Sequence, residues 1–512
     1  MSLSHKPKQI SSFLSTLHRT VPSGDLLVVG CGLVGALLST IVLGSQSTLM
    51  MLGFFGAMGF GALCLLRGEM RLVLLASTFF LAPVDISKGL LTPTVTRFYA
   101  SGPFYSPGLY LLASQLAVVA LLIVWMGKRL LLERRWPPMT GLDWLALAYV
   151  CVICSRSIGT PQGALSMGTA ASYTLCVLAF YVVSHTIQSV SDLRVVIKAS
   201  LVIFFLTFVY VSVQQITQLP LPFPFSKGLA FGTAVSFAGE GVIFRPVGFM
   251  LHPNALAHYT IIMLPPAAAL CLLGPSRLPY RVWLLSTATA VCAMAMLLVT
   301  LSRGGWFSAI LSVSAIVFVY ARKGIVTPRQ LGYAAICAAI GAIVLVTVYP
   351  TILLRLTAPD GRSLESRVLL ADMAFTIIKA NPWIGVGFGE YNRAAFEYVS
   401  PLYANVSSEY QFGLHQLVVH NHFLLIAAEL GIPAMFFFIY VLWRIARLPW
   451  SLSRWRDPAA FALATGLAAA VVGETLFFNS DNYYTDIRIF VFWLAAGVLQ
   501  ALMLIAHRES RT

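Results

Sequence analysis

Residues 282–320 read VWLLSTATAVCAMAMLLVTLSRGGWFSAILSVSAIVFVY. Two apolar runs, 282–302 and 305–320, flank the short break Ser302-Arg303-Gly304-Gly305-Trp306. At 1.5 Å per helical residue, a run of ~20 residues spans the ~30 Å hydrocarbon core of a bilayer. The paired glycines permit a tight reversal, and the arginine beside the tryptophan suits a membrane interface. The stretch therefore reads as a transmembrane helical hairpin.

The rest of the chain repeats the pattern. Over 512 residues, 58% are hydrophobic and only 10% charged, with a mean hydropathy of +0.82. No soluble globule of that length hides so much apolar surface. Fourteen runs qualify as spans: 26–44, 49–66, 71–83, 108–126, 142–155, 168–187, 199–216, 256–274, 282–302, 305–320, 331–350, 422–443, 459–478 and 488–506. The runs at 71–83 and 142–155 are short enough to be re-entrant. The expected fold is an all-α polytopic bundle of about 14 spans (12–14), with a large extracytoplasmic loop before the antepenultimate one.

The net charge of +15 would suggest nucleic acid in a soluble protein. Here it follows from loop asymmetry instead, and no nucleic-acid partner is expected. With the N-terminus cytoplasmic, inside segments hold 22 of the 34 Lys and Arg residues, and five of the other twelve lie in the polar island 351–420. Both termini then face the cytoplasm and the island faces outward. The expected organisation is a cytoplasmic tail 1–25, a membrane bundle 26–350, an extracytoplasmic loop 351–420, C-terminal helices 421–506 and a cytoplasmic tail 507–512. The run 26–44 follows a polar stretch without a cleavage pattern, so it reads as a retained span. All eight cysteines fall inside predicted spans, which indicates neither a disulfide framework nor a zinc site.

Four polar clusters collect on the outer face. Arg245 precedes His252-Pro253-Asn254, a helix-start signal whose backbone N–H groups suit an anion. Arg303 tops the hairpin quoted above. Arg367 heads a helical run 368–380 that leads to Asn381-Pro-Trp-Ile-Gly-Val-Gly387. His420-Asn421-His422 opens a span that carries Glu429 and Gly431. An intramembrane or interfacial cation is costly unless employed, and a neutral imidazole can act as general base. Capped helices with interfacial arginines would produce the same residues. Two histidines at i and i+2 point to different helix faces, so no shared metal site is expected.

Taken in order, Arg245-Pro-Val-Gly248, Leu301-Ser-Arg-Gly-Gly-Trp306, Arg367 with Asn381-Pro-Trp, His420-Asn421-His-Phe-Leu424 and Glu429-Leu-Gly431 resemble the O-antigen ligase and Wzy-type polymerase superfamily. The resemblance implies a metal-independent, inverting GT-C type glycosyltransferase with no cofactor. It would move a glycan from undecaprenyl pyrophosphate to an acceptor hydroxyl at the outer face of the bacterial inner membrane. It gives His420 the catalytic role, Arg245, Arg367 and Arg303 the pyrophosphate, and Asn254, Asn421 and Glu429 supporting places. The acceptor would be a growing glycan or a lipid A-core. Ala434 stands where the ligase pattern has Gly, Thr or Tyr, which with the span count leans toward polymerase over ligase. A lipid-linked oligosaccharide flippase is the reading from a different class. It would show broken helices and mid-membrane ionisable residues, often in repeated halves.

Overall fold

The computed structural model describes residues 70–91, 107–221, 234–237, 241–327, 350–357, 362–398, 417–451, 457–482 and 487–511, with a few isolated positions besides. The tail 1–25, the predicted spans 26–44 and 49–66, and almost all of 331–350 lie outside the described residues.

The chain is mostly helical. In order, the elements are α1 (Met70–Leu81), β1 (Ser87–Leu91), β2 (Leu109–Leu112), α2 (Ala113–Gly127), α3 (Gly141–Ser155), α4 (Ala164–Thr186) and α5 (Val190–Thr217). Then come β3 (Ala234–Phe237), β4 (Gly241–Phe244), α6 (Pro253–Leu273), α7 (Tyr280–Val299) and α8 (Arg303–Arg322). The polar island contributes α9 (Thr351–Thr357), α10 (Arg362–Ala380) and α11 (Tyr391–Glu397), before α12 (His422–Leu430), α13 (Ile432–Ala446), α14 (Pro458–Phe477) and α15 (Ile487–Arg511). Among the described residues, eight helices are long and apolar enough to cross a membrane: α2 with its extension to Leu132, α4, α5, α6, α7, α8, α14 and α15. The shorter apolar helices α1, α3 and α13 cover three further predicted runs. By length and composition, this is a multi-pass membrane protein.

Local chemistry sets the boundaries. Thr140 and Asp143 form a reciprocal capping box at α3, and Ser189 with Asp192 does the same at α5. Pro253 and Pro458 occupy the first helical positions of α6 and α14, where a missing N–H costs nothing. Helix α15 runs through the centre, with Phe490, Trp493, Ala496 and Leu499 fully buried. It packs on α4 and α14, while α14 lies along α6. The many buried alanines of α14 let the backbones approach closely, the usual basis of helix association in lipid. Within that interface His258 of α6 meets Glu474 of α14 and gives one oxygen of the buried carboxylate a partner.

Two expectations need correcting. The fold is not purely α: β1 pairs antiparallel with β2, and β3 with β4. The predicted span 108–126 thus begins as a strand, because hydroxyls on α4 capture its backbone. Thr169 accepts from the Gly108 N–H at 2.7 Å, and Ser172 from the Tyr110 N–H at 2.9 Å. The predicted span 422–443 is broken at Gly431, whose φ of +91° divides α12 from α13.

The break serves as a dock for the glycine run that follows α10. The Val386 and Gly387 N–H groups donate to the Ala428 and Glu429 carbonyls at 2.9 Å, and the Ile432 N–H donates to the Pro382 carbonyl at 2.8 Å. A Cβ on Gly431 would stand 2.2 Å from the Trp383 carbonyl oxygen. Gly431→Ala is therefore expected to cost roughly 2–4 kcal/mol, combining left-handed strain with a backbone clash. Gly324→Ala, at φ +64° but in open space, is the control for strain alone. Melting in detergent should rank them in that order, and equal losses would remove the clash as the cause.

Candidate active site

The sequence clusters converge at one end of the bundle. Two interhelical turns form its floor. In the α7–α8 turn, Leu301 adopts a left-handed φ of +53°. The consecutive carbonyls of Thr300 and Leu301 are thereby left to accept from incoming donors. Arg245 Nε donates to the Thr300 carbonyl at 2.6 Å, and Arg355 Nε donates to the Leu301 carbonyl at 2.9 Å. Both guanidiniums sit at the C-terminus of α7, where the helix dipole favours cations. The Arg245 Nη2 also donates to Asn254 Oδ1 at 3.0 Å, so Asn254 orients the arginine. His252 caps α6 by accepting the Asn254 N–H on Nδ1 at 3.1 Å.

The second turn joins α14 to α15. Arg488 Nη1 donates to Asp481 Oδ2 at 2.8 Å, and both side chains are buried. The other carboxylate oxygen faces His420 Nδ1 at 3.4 Å. The His422 N–H donates to the Phe478 carbonyl at 2.8 Å, pinning the start of α12 beside that turn. Asn421 caps α12 by accepting the Leu424 N–H at 3.0 Å. The two turns touch, since Gly304 packs directly on Ser480.

Electrostatics ties the pieces together. Burial first, then repulsion from Arg355 and Arg367, pushes the Arg245 guanidinium down to about 9 against the pull of Asp481. Burial and then Arg303 and Arg367 bring Arg355 down to about 10. Arg355 thus links Arg245, Arg303 and Arg367 into one repelling group. Burial opposes ionisation of Asp481, but Arg488 and then His420 hold its carboxyl well below the usual range. Such a concentration of positive charge suits a polyanion, because guanidiniums match phosphate oxygens in bidentate geometry.

Of the predicted site residues, Arg245, Arg303, Arg367, Asn254, His420 and Asn421 gather here. Arg303 and Arg367 stay exposed at its rim. Glu429 does not face the cluster. It is buried, and its Oε1 accepts the Tyr391 N–H at 3.0 Å, which fastens α11 to α12. Asp481 and Arg488 are not among the residues expected from the sequence, His252 enters there only as part of a helix start, and Arg355 only as one of five cations in the polar island. A signal existed for Asp481: with Asp486 it is one of two acidic residues in a short link between two outward-ending apolar runs.

His252 yields a stability prediction. Burial first, then Arg488, Arg245 and His420, brings its imidazole down to about 3, against the pull of Asp481. The unfolded chain then binds a proton near pH 6.5 that the folded chain refuses. The stability contribution is complete above pH 6.5 and is lost as pH falls from there toward 3. The folding equilibrium should weaken by up to about tenfold per pH unit in that window. His252→Asn should flatten the acid side of the melting-temperature profile, and an unchanged profile would assign the slope to another group.

Residues 288–439 match the family model described as O-antigen ligase. The superfamily resemblance is borne out over that stretch, which contains Arg303, Arg355, Arg367 and His420 but neither Arg245 nor Asp481. No curated protein matches the chain.

Proposed function

We propose that this chain, carrying an O-antigen ligase region, transfers a glycan from undecaprenyl pyrophosphate to an acceptor hydroxyl. The observation that carries the reading is the meeting of buried Arg245 and Arg355 with the Arg488–Asp481–His420 relay on adjoining turns. Asp481 accepts from His420 Nδ1, which makes Nε2 the basic ring nitrogen that takes the acceptor proton. The hydroxyl oxygen attacks the anomeric carbon as the bond to pyrophosphate breaks, inverting the centre. Arg245 and Arg355, with Arg303 and Arg367 at the rim, stabilise the charge that grows on the leaving group. The guanidiniums supply this charge, so catalysis is metal-independent. Both termini lie in the cytoplasm by the loop-charge count, which places the site on the outer face of the inner membrane. Residues 351–420 then act as an extracytoplasmic loop over the helices of 26–350 and 421–506.

A growing glycan as acceptor, hence polymerase, remains the leading reading on the Ala434 departure. The description of the matched family favours the second, transfer to lipid A-core by a ligase. The break at Gly431 does not restore the flippase alternative, because loop backbone from 382–387 fills it rather than a cavity.

Purified protein given polyprenyl-pyrophosphate-linked glycan should release polyprenyl pyrophosphate, and turnover should persist in excess chelator. A lengthened glycan indicates polymerase, and lipid A-core product indicates ligase. Translocation of lipid in liposomes without any transfer would reject the enzyme reading, and loss of turnover in chelator would reject metal independence.

A further inference from the structure

A second polar site lies at the opposite end of the bundle from His420. Helix α2 leaves regular α geometry at Gly127 and continues as one π-helical turn, Lys128–Leu132. Such turns recur at functional sites because they re-aim side chains. Here the turn places Lys128 and Arg129 over the start of α1 and the α4–α5 link. Together they bound a cavity of about 390 Å³, lined by Arg71, Trp125, Lys128, Arg129, Glu133 and Gln188.

The hydrogen-bond accounting of the cavity is incomplete on the donor side. Trp125 is 4% exposed, and among the described residues its buried indole N–H meets no partner. Arg129 Nε is likewise buried without one, although its Nη1 reaches Glu133 at 3.2 Å. Arg71 is held by Asp192 at 2.8 Å, and Lys128 lies 3.8 Å from Glu133. Among the described residues three cations thus share two carboxylates, with Arg134 and Arg135 just beyond. Buried donors without acceptors are costly. Every deficit points the same way, toward a missing acceptor that carries negative charge.

The setting identifies the acceptor. Trp125 belongs to a helix long and apolar enough to cross a membrane, one turn before the basic residues Lys128 and Arg129 near its end. Met70 and Val124 give the cavity an apolar flank. A phosphodiester with attached acyl chains meets both requirements, whereas free phosphate meets only one. The loop-charge count puts this end at the cytoplasmic leaflet, where basic pockets between helices receive anionic headgroups.

We propose that the cavity between α1, α2 and the α4–α5 link binds the headgroup of an anionic phospholipid, its phosphate accepting from the Trp125 indole and the Arg129 guanidinium. The site is remote from His420, so its failure would leave the transferase reading untouched.

The test uses the full-length protein, delipidated in detergent and titrated with phosphatidylglycerol, phosphatidylcholine or inorganic phosphate. Phosphatidylglycerol should raise the melting temperature, and native mass spectrometry should show it retained. Trp125→Phe keeps the ring but deletes the donor, and Arg129→Gln removes the charge. Each should weaken phosphatidylglycerol binding by about tenfold, as expected for one hydrogen bond to a charged group. The lipid-free melting temperature should stay near that of the parent. Equal stabilisation by phosphatidylcholine would overturn the headgroup assignment. Equal stabilisation by inorganic phosphate would overturn the lipid assignment, and undiminished binding in both variants would overturn the site.

Discussion

His420→Ala is expected to lower glycan transfer by about 10²–10⁴-fold, the range for losing a positioned general base. The loss should fall on kcat, because the imidazole acts on the proton that moves in the transition state rather than on the bound donor. His420 is half-buried and meets Asp481 at a long 3.4 Å, so its removal should leave the melting temperature nearly unchanged. Asp481 gives the complementary result. Asp481→Ala would strand the buried Arg488 guanidinium without its carboxylate, at a cost of about 3–5 kcal/mol. Asp481→Asn keeps the shape and should lower kcat, because an amide no longer favours the imidazolium formed as the proton arrives. Full transfer by folded His420→Ala protein would eliminate the histidine as base. Unchanged kcat in Asp481→Asn would reduce the carboxylate to a partner of Arg488.

The sequence made some of this legible and concealed the rest for physical reasons. Spans were readable because lipid leaves a helix no alternative once a run is long and apolar. The strand at Leu109–Leu112 was hidden, since the hydroxyls of Thr169 and Ser172 that satisfy it lie some sixty residues away. The break at Gly431 was hidden for the same kind of reason, because the Trp383 carbonyl that demands a bare backbone belongs to another segment. Arg245, Arg367 and His420 stood out as expensive residues in an apolar chain. Arg355 looked like one loop cation among five until the left-handed turn at Leu301 presented it with a carbonyl. Asp481 and Arg488 are separated in sequence by only a few residues, yet their pairing matters only because His420 arrives from 61 positions away.

Arg245→Gln is expected to lower kcat/KM for the lipid-linked donor by about 10²–10³-fold, the usual cost of deleting one preorganised charge stabiliser. Arg245→Lys should recover little. Lysine has no planar fork with which to donate to the Thr300 carbonyl and Asn254 at once while still facing an anion. Stability should move differently. Arg245 is buried beside Arg355 and Arg367, and burial with their repulsion drives its guanidinium down to about 9. Glutamine keeps an N–H for the Thr300 carbonyl and relieves that repulsion, so the melting temperature should hold or rise. A site built to receive a polyanion is strained while empty, and removing part of the charge trades function for stability. A structural arginine predicts the reverse: melting temperature and transfer would fall together, and Arg245→Lys would rescue both by restoring the charge. Measuring donor turnover and thermal stability on the same two variants separates these outcomes. Retained transfer in Arg245→Gln would remove the residue from the pyrophosphate site altogether.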